Sequence, residues 1–154
     1  MKNSFTKLFL LLLLGLFIVA GCVRQSGGPA VASLDALAGS YRIMWSDGEP
    51  NDHIFNLEQK NGMWHMADDE DSVPMTTLTP EEIESIFGKE MAGNAQCLEA
   101  VAEASTIIIC VTKPGTATEV RIDDWVSYSS NFTSKTGYVA YIGHMGIWDL
   151  EKMR

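Results

Sequence analysis

Three histidines are the residues best suited to acid–base chemistry: His53, His65 and His144. Catalysis would need one of them beside a nucleophile or a paired acid in a cleft. His144 is the best placed, because Asp124 falls on the apolar face of a predicted strand, where a buried carboxylate could pair with it. A bulge at Asp123 would instead turn Asp124 outward, and we favour the bulge.

The sequence lacks the motifs that usually accompany catalysis or cofactor binding. It contains no nucleophile elbow, Walker loop, dinucleotide fingerprint or zinc-protease helix motif. A small hydrolase that uses His144 and Asp124 is therefore the last of the function classes that we consider. We predict a non-catalytic protein without a cofactor.

Two acidic stretches stand out, one over residues 47–52 and one over residues 68–71. Carboxylates could bind calcium, but neither stretch has the alternating ligand spacing of an EF-hand loop. We therefore predict no metal site but a solvated or partner-facing acidic surface, and a hairpin between the stretches would bring them together as one negative lobe. The candidate partner-binding residues are Asp47, Glu49, Asp52, Asp68, Asp69, Glu70 and Asp71.

Residues 1–21 follow the pattern of a secretory signal, with two lysines and no acid before a nearly unbroken apolar run over residues 8–20. This run is too short for a comfortable membrane span, which takes roughly 20 apolar residues. Its end, Val19-Ala20-Gly21-Cys22, resembles the lipobox of bacterial lipoproteins. The resemblance implies cleavage before Cys22, diacylglyceryl attachment to this cysteine, and acylation of the new amine, which together give a firm anchor of several acyl chains.

The residues after the lipobox indicate where the anchored protein would lie. Val23 follows Cys22, and no aspartate occupies the position that resembles the inner-membrane retention signal of lipoproteins. In a two-membrane bacterium this favours the outer membrane, with the protein facing the periplasm. We predict a lipidated tether over residues 22–34 and one globular domain over residues 35–154.

The charge of the chain limits the class of partner. The 154 residues carry 11 Lys and Arg against 20 Asp and Glu, a net charge of −9, and removal of residues 1–21 makes it −11. This acidity argues against nucleic acid as a partner, because phosphate-binding proteins need a basic surface. It favours a basic protein partner, although a solvated acidic surface is the more common explanation.

Cys97 and Cys110 remain after the anchor cysteine is set aside. The envelope is an oxidising compartment, and two thiolates without a nearby histidine do not complete a tetrahedral zinc site. We therefore predict one disulfide, which stabilises by about 3 kcal/mol in the chain-entropy model.

Apolar alternation predicts a first strand over residues 38–45 and a hairpin at Asn61-Gly62, the dipeptide favoured in two-residue type I′ turns. The predicted register places Leu57 opposite Met66, Gln59 opposite Trp64, Phe55 opposite Asp68, and His65 opposite Glu58. Phe55, Leu57, Trp64 and Met66 then face the core. His65 and Glu58 would form an exposed cross-strand pair on the outward face.

Further elements follow the hairpin. Thr79-Pro80-Glu81-Glu82 predicts a helix start with a capping box, and Lys113-Pro114-Gly115-Thr116 predicts a type II turn. Residues 94–104 fit either a second helix or a strand that pairs with a central strand over residues 106–112. Apolar patterns predict further strands within residues 118–128 and 137–150.

This order of elements predicts an α+β fold with an antiparallel β-sheet of about five to six strands, one or two short helices and one disulfide. Curling of the sheet would make it a half-barrel. Gly39-Ser40-Tyr41 resembles the glycine-x-aromatic start of lipocalin-like barrels, but the cysteines and helices do not support that match.

We expect a lipid-anchored binding protein of the envelope, an inhibitor or immunity protein that neutralises a basic cell-wall enzyme or toxin. The alternative is a structural or assembly lipoprotein of an envelope complex, whose contacts would be apolar. Ionic strength separates the two, because electrostatic capture weakens steeply with salt and apolar contact does not.

Overall fold

The computed structural model describes residues 32–102, 105–120, 130–143 and 145–153. Their strands are β1 (Gly39–Met44), β2 (Pro50–Lys60), β3 (Met63–Ala67), β4 (Ser72–Thr77), β5 (Gln96–Ala102), β6 (Ser105–Val111), β7 (Ala117–Val120), β8 (Ser130–Thr133), β9 (Tyr138–Ile142) and β10 (Gly146–Lys152). A 3-10 helix (Leu34–Leu37) precedes β1, and helices α1 (Pro80–Phe87) and α2 (Lys89–Asn94) follow β4. Among the described residues, no helix is long and apolar enough to cross a membrane. The signal sequence, Cys22, Asp124 and His144 lie outside the described residues.

Eight of the strands form a closed antiparallel barrel in the order β1-β10-β9-β6-β5-β4-β3-β2, and β7 pairs with β8 in a separate two-stranded sheet. The antiparallel sheet and the two short helices are confirmed. The prediction of about five to six strands in a half-barrel is wrong, because β1 also pairs with β10 and closes the sheet. The shortest of the ladders joins β4 to β5, where Thr76 pairs with Glu99 and Thr77 with Leu98.

Much of this difference comes from β4, which the sequence patterns did not predict, and from β5, which they left undecided between helix and strand. β4 carries Pro74 at its centre, a residue that argues against a strand. β5 occupies most of residues 94–104, so that the strand alternative holds, and the second helix is α2, which ends at Asn94. The segment 137–150 holds two strands, β9 and most of β10, which pair with each other.

The hairpin between β2 and β3 is confirmed. Asn61 and Gly62 have φ angles of 53° and 80°, which is the left-handed backbone that a type I′ turn requires. Leu57 lies opposite Met66, Gln59 opposite Trp64 and Glu58 opposite His65, as predicted. The β2–β3 ladder ends at Asn56 and Ala67, so the expected pairing of Phe55 with Asp68 is wrong.

Alternate side chains of the strands point into the barrel interior and form an apolar core. Tyr41, Leu57, Leu98 and Leu150 are each at most 1% exposed and belong to one apolar cluster. The predicted inward face of the hairpin belongs to the same cluster, with Phe55 and Trp64 buried and Met66 packed against them.

The 3-10 helix covers one end of the barrel, which we call the sealed end. The Lys152 Nζ atom donates a hydrogen bond of 2.7 Å to the Ala36 carbonyl and lies 5.7 Å from the centre of the Tyr41 ring. Gly39 makes room for this side chain, because a Cβ there would lie 2.8 Å from the Lys152 Cε atom. Burial, and secondarily the neighbouring Tyr138 hydroxyl, raise the pKa of Tyr41.

A second apolar cluster lies on the outside of the barrel, where the helices and β7 pack against β5 and β6. Cys97 and Cys110 are direct neighbours across these two strands and form the predicted disulfide, fully buried beside Phe87 and Met91. The capping box of α1 is confirmed: the Glu82 carboxylate accepts from the Thr79 amide at 2.7 Å. The disulfide therefore links β5 to β6 within the barrel wall, beneath the helices.

Candidate binding site

Both acidic stretches lie at the same end of the barrel, opposite the sealed end. Residues 45–49 connect β1 to β2, and residues 68–71 connect β3 to β4. Because successive strands of an antiparallel barrel alternate in direction, these two connections emerge at one end. We call it the acidic end. The candidate residues placed there are Asp47, Glu49, Asp52, Asp68, Asp69, Glu70 and Asp71, all of them exposed.

The loop over residues 68–71 is held by its own carboxylates. The Asp68 Oδ1 atom accepts hydrogen bonds from the amides of Glu70 at 2.9 Å and Asp71 at 2.8 Å. The Asp71 Oδ1 atom accepts from the Ser72 amide, also at 2.9 Å. These bonds fix the backbone, so the carboxylates project from a defined loop.

Asp68 keeps its negative charge in acid longer than an ordinary aspartate. The amides of Glu70 and Asp71, and then the neighbouring His53 ring, lower the pKa of the Asp68 carboxyl. These donors stabilise the ionised form, which outweighs the opposing effect of desolvation. The His53 Nε2 atom lies 3.6 Å from the Asp68 Oδ2 atom and links the first part of β2 to this loop.

A cavity of about 180 Å³ opens into the barrel at the acidic end. The larger apolar side chains that line it are Ile43, Phe55, Val73, Ile107, Ile109 and Ile142. Met66, Ala67 and Ala140 complete the apolar lining, and Ala140, which belongs to the barrel core, leaves space that a larger side chain would fill. The exposed residues His53, Asp68 and Asp71 also line it. The site therefore joins an apolar chamber to ionised groups.

A second recess lies outside the barrel wall, next to the cavity. It is lined by Asp52, His53, Ile54, Asn56, Asp68, Asp69 and Glu70, with a volume of about 480 Å³. Across the described residues that line the cavity and this recess, there is no Lys or Arg to neutralise the carboxylates. Their field is therefore negative on both sides of Asp68.

The sequence identifies the carboxylates of this end but not the cavity beneath them. The cavity exists because β1, β2, β3, β4, β6 and β9 close around it, and closure depends on pairs far apart in the chain. The available signal is the period-2 pattern of Ile107 and Ile109, which places both on one face of β6. That pattern predicts an inward face but not an unfilled space behind it.

The remaining sequence predictions for this site concern His65 and metal binding. His65 is half-buried, with its Nδ1 atom 3.5 Å from the Ser72 Oγ atom on the outer surface. Within the described residues, no three His, Cys, Asp or Glu side chains are grouped so that they could hold a metal ion. No family model, curated protein or solved structure matches the chain.

Proposed function

We propose that this protein is a lipid-anchored lipoprotein of the bacterial envelope whose acidic end binds a basic protein without catalysing a reaction. Its partner class would be a cell-wall enzyme or a toxin, which the protein would inhibit or neutralise. The lipobox supports the anchor at Cys22, and the −11 charge of the cleaved chain supports the sign of the partner.

The observation that carries the proposal is that acidic side chains of β2 and of the loop 68–71 line one recess at one end of the barrel. The β2–β3 hairpin separates Asp52 from the loop 68–71 in the chain, yet Asp52 lines the same recess as Asp68, Asp69 and Glu70, and His53 lies 3.6 Å from Asp68. Carboxylates held on a fixed frame attract a complementary basic surface and speed its association.

The test is affinity capture from envelope extract with the full lipoprotein held in detergent and its disulfide intact. We expect one basic protein in stoichiometric amount at about 0.15 M salt and its loss at about 1 M, where the Debye length falls to roughly 3 Å. Asp69→Asn/Glu70→Gln should weaken capture. Glu81→Gln/Glu84→Gln, which removes the same charge from helix α1, is the control and should not.

A partner that is retained at high salt and by the Asp69→Asn/Glu70→Gln variant would contradict the proposal. Such a result would favour the assembly lipoprotein, whose contacts are apolar. The anchor has its own test: Cys22→Ser should abolish incorporation of labelled palmitate and release the protein from membranes. Retained acylation in this variant would exclude Cys22 as the lipidated residue.

A further inference from the structure

The size of the barrel cavity limits what can occupy it. Pockets that enclose whole drug-sized ligands have volumes of roughly 300–1,000 Å³. The volume here is about 180 Å³, close to that of engineered apolar cavities of about 150 Å³ that hold one benzene molecule. One large apolar side chain therefore fits, whereas an acyl chain or an extended lipophilic molecule does not.

The chemistry of the lining limits the occupant further. The chamber is apolar, with side chains such as Ile107 and Ile142, so a polar group inside would lose its hydrogen bonds to water. Asp68 and Asp71, which also line the cavity, are exposed and negatively charged. An occupant that satisfies both has an apolar group in the chamber and positive charge beside it.

We propose that the cavity receives one apolar side chain, of the size of Leu, Met or Phe, from a protein partner whose flanking Lys or Arg residues contact Asp68 and Asp71. This inference rests on the proposed function, whose partner it describes in more detail. An apolar anchor buried in a pocket and surrounded by charged contacts is the usual arrangement of an interface hot spot. The anchor would supply affinity, and the carboxylates would supply orientation and rate of association.

The experiment uses the full lipoprotein in nanodiscs of zwitterionic lipid and a photoreactive tripeptide. The probe is N-acetylated, amidated Lys-photoleucine-Lys, whose aliphatic diazirine inserts into the residues that surround it. Mass spectrometry then locates the cross-link. We expect insertion at cavity residues such as Met66, Ile107 and Ile142, with a yield about fivefold or more above that of Glu-photoleucine-Glu.

Two measurements test the apolar part separately. Excess unlabelled Lys-Leu-Lys should suppress the cross-link at concentrations about fivefold or more below those needed with Lys-Ala-Lys, and this needs no protein variant. Ala140→Leu, which adds volume at a buried position of the cavity wall, should abolish the cross-link. Equal suppression by the two peptides, or cross-links spread over the outer surface, would overturn the proposal.

The charged part is tested by variants within one loop. Asp68→Asn/Asp71→Asn removes two charges that line the cavity and keeps the side-chain oxygens that accept backbone hydrogen bonds. Asp69→Asn/Glu70→Gln removes two charges from the same loop that do not line it. The first pair should lower the yield several-fold more than the second. Equal losses would show that the charge of the loop acts only at a distance, and would overturn the assigned contacts.

Comparison with envelope capture separates this inference from the proposed function. If the native protein captures a basic partner and Ala140→Leu captures it equally well, the side-chain anchor is wrong and the proposed function remains. If the native protein captures no basic protein, the proposed function is wrong, while specific cross-linking inside the cavity still supports the inference. A small molecule that copurifies in stoichiometric amount and is absent from Ala140→Leu would overturn the inference in favour of a carrier.

Discussion

At the scale of single residues, Asp149 shows how a buried charge can shape a loop far from it in sequence. Its side chain is 8% exposed, and its carboxylate accepts hydrogen bonds from the Ser134 hydroxyl at 2.9 Å and the Lys135 amide at 3.0 Å. The Thr136 amide and hydroxyl contact the same Oδ1 atom. The connection between β8 and β9 is therefore held by one carboxylate on β10.

We expect Asp149→Ala to lower the free energy of unfolding by about 2–3 kcal/mol, because it leaves the buried Ser134 hydroxyl and three partly buried donors of Lys135 and Thr136 without this acceptor. Glu151→Ala is the matched control on the same strand. Glu151 pairs with Arg42 at 2.6 Å on a partly exposed surface, so its loss should cost less than about 1 kcal/mol. Urea unfolding of both variants measures the difference. Similar losses would show that the loop does not depend on the Asp149 carboxylate.

At the scale of elements, the sequence predicted those turns and helix starts that depend on interactions within a short segment. Asn61-Gly62 dictates its turn through left-handed backbone, and Thr79 and Glu82 mark the start of α1 through contacts three residues apart. Barrel closure could not be predicted in this way, because Tyr41 pairs with Lys152 across almost the whole described chain. The same holds for the candidate site. Its acidic residues can be recognised in short segments of the sequence, whereas its cavity forms only when the barrel closes.

The same distinction explains why residues 94–104 were ambiguous. Their apolar residues fit a helix or a strand, and tertiary pairing decides for the strand: Leu98 lies opposite Ile109 in β6, and Cys97 lies opposite Cys110. The disulfide is compatible with either conformation from the sequence alone. In the structure it fastens β5 to β6 where α2 leads into the barrel wall.

We expect Cys97→Ala/Cys110→Ala to lower the free energy of unfolding by about 3 kcal/mol, because the unfolded chain loses its cross-link and a buried volume is left unfilled. The measurement is urea unfolding with and without a reductant. The reductant should destabilise the native protein and leave the variant unchanged, which makes the variant its own control. A variant as stable as the oxidised protein would show that strand pairing alone is sufficient.

At the scale of the whole molecule, the two ends of the barrel are built differently. The sealed end is covered by the 3-10 helix, with Leu37 fully buried and Lys152 bonded to the Ala36 carbonyl. The acidic end gathers like charges around an unfilled cavity, which costs stability through repulsion and lost packing. An arrangement of this kind is typical of a binding surface, where stability is given up for recognition.

This asymmetry predicts opposite responses to substitution at the two ends. Lys152→Leu should lower the free energy of unfolding by about 1–2 kcal/mol, because it removes a charge-assisted hydrogen bond and contacts with two aromatic rings. Asp69→Asn/Glu70→Gln should instead raise the melting temperature at low ionic strength, because it relieves repulsion among the carboxylates of one loop.

Thermal unfolding at about 0.02 M and about 0.5 M salt separates the two effects, because salt screens exposed charges much more than partly buried contacts. The gain from Asp69→Asn/Glu70→Gln should shrink at the higher salt, whereas the loss from Lys152→Leu should persist. Lys152→Leu should also leave the tripeptide cross-link in the cavity intact, since its contacts lie at the opposite end. A low-salt loss of stability in the acidic-loop variant would mean that these carboxylates hold the fold together, and the division of roles between the two ends would then be wrong.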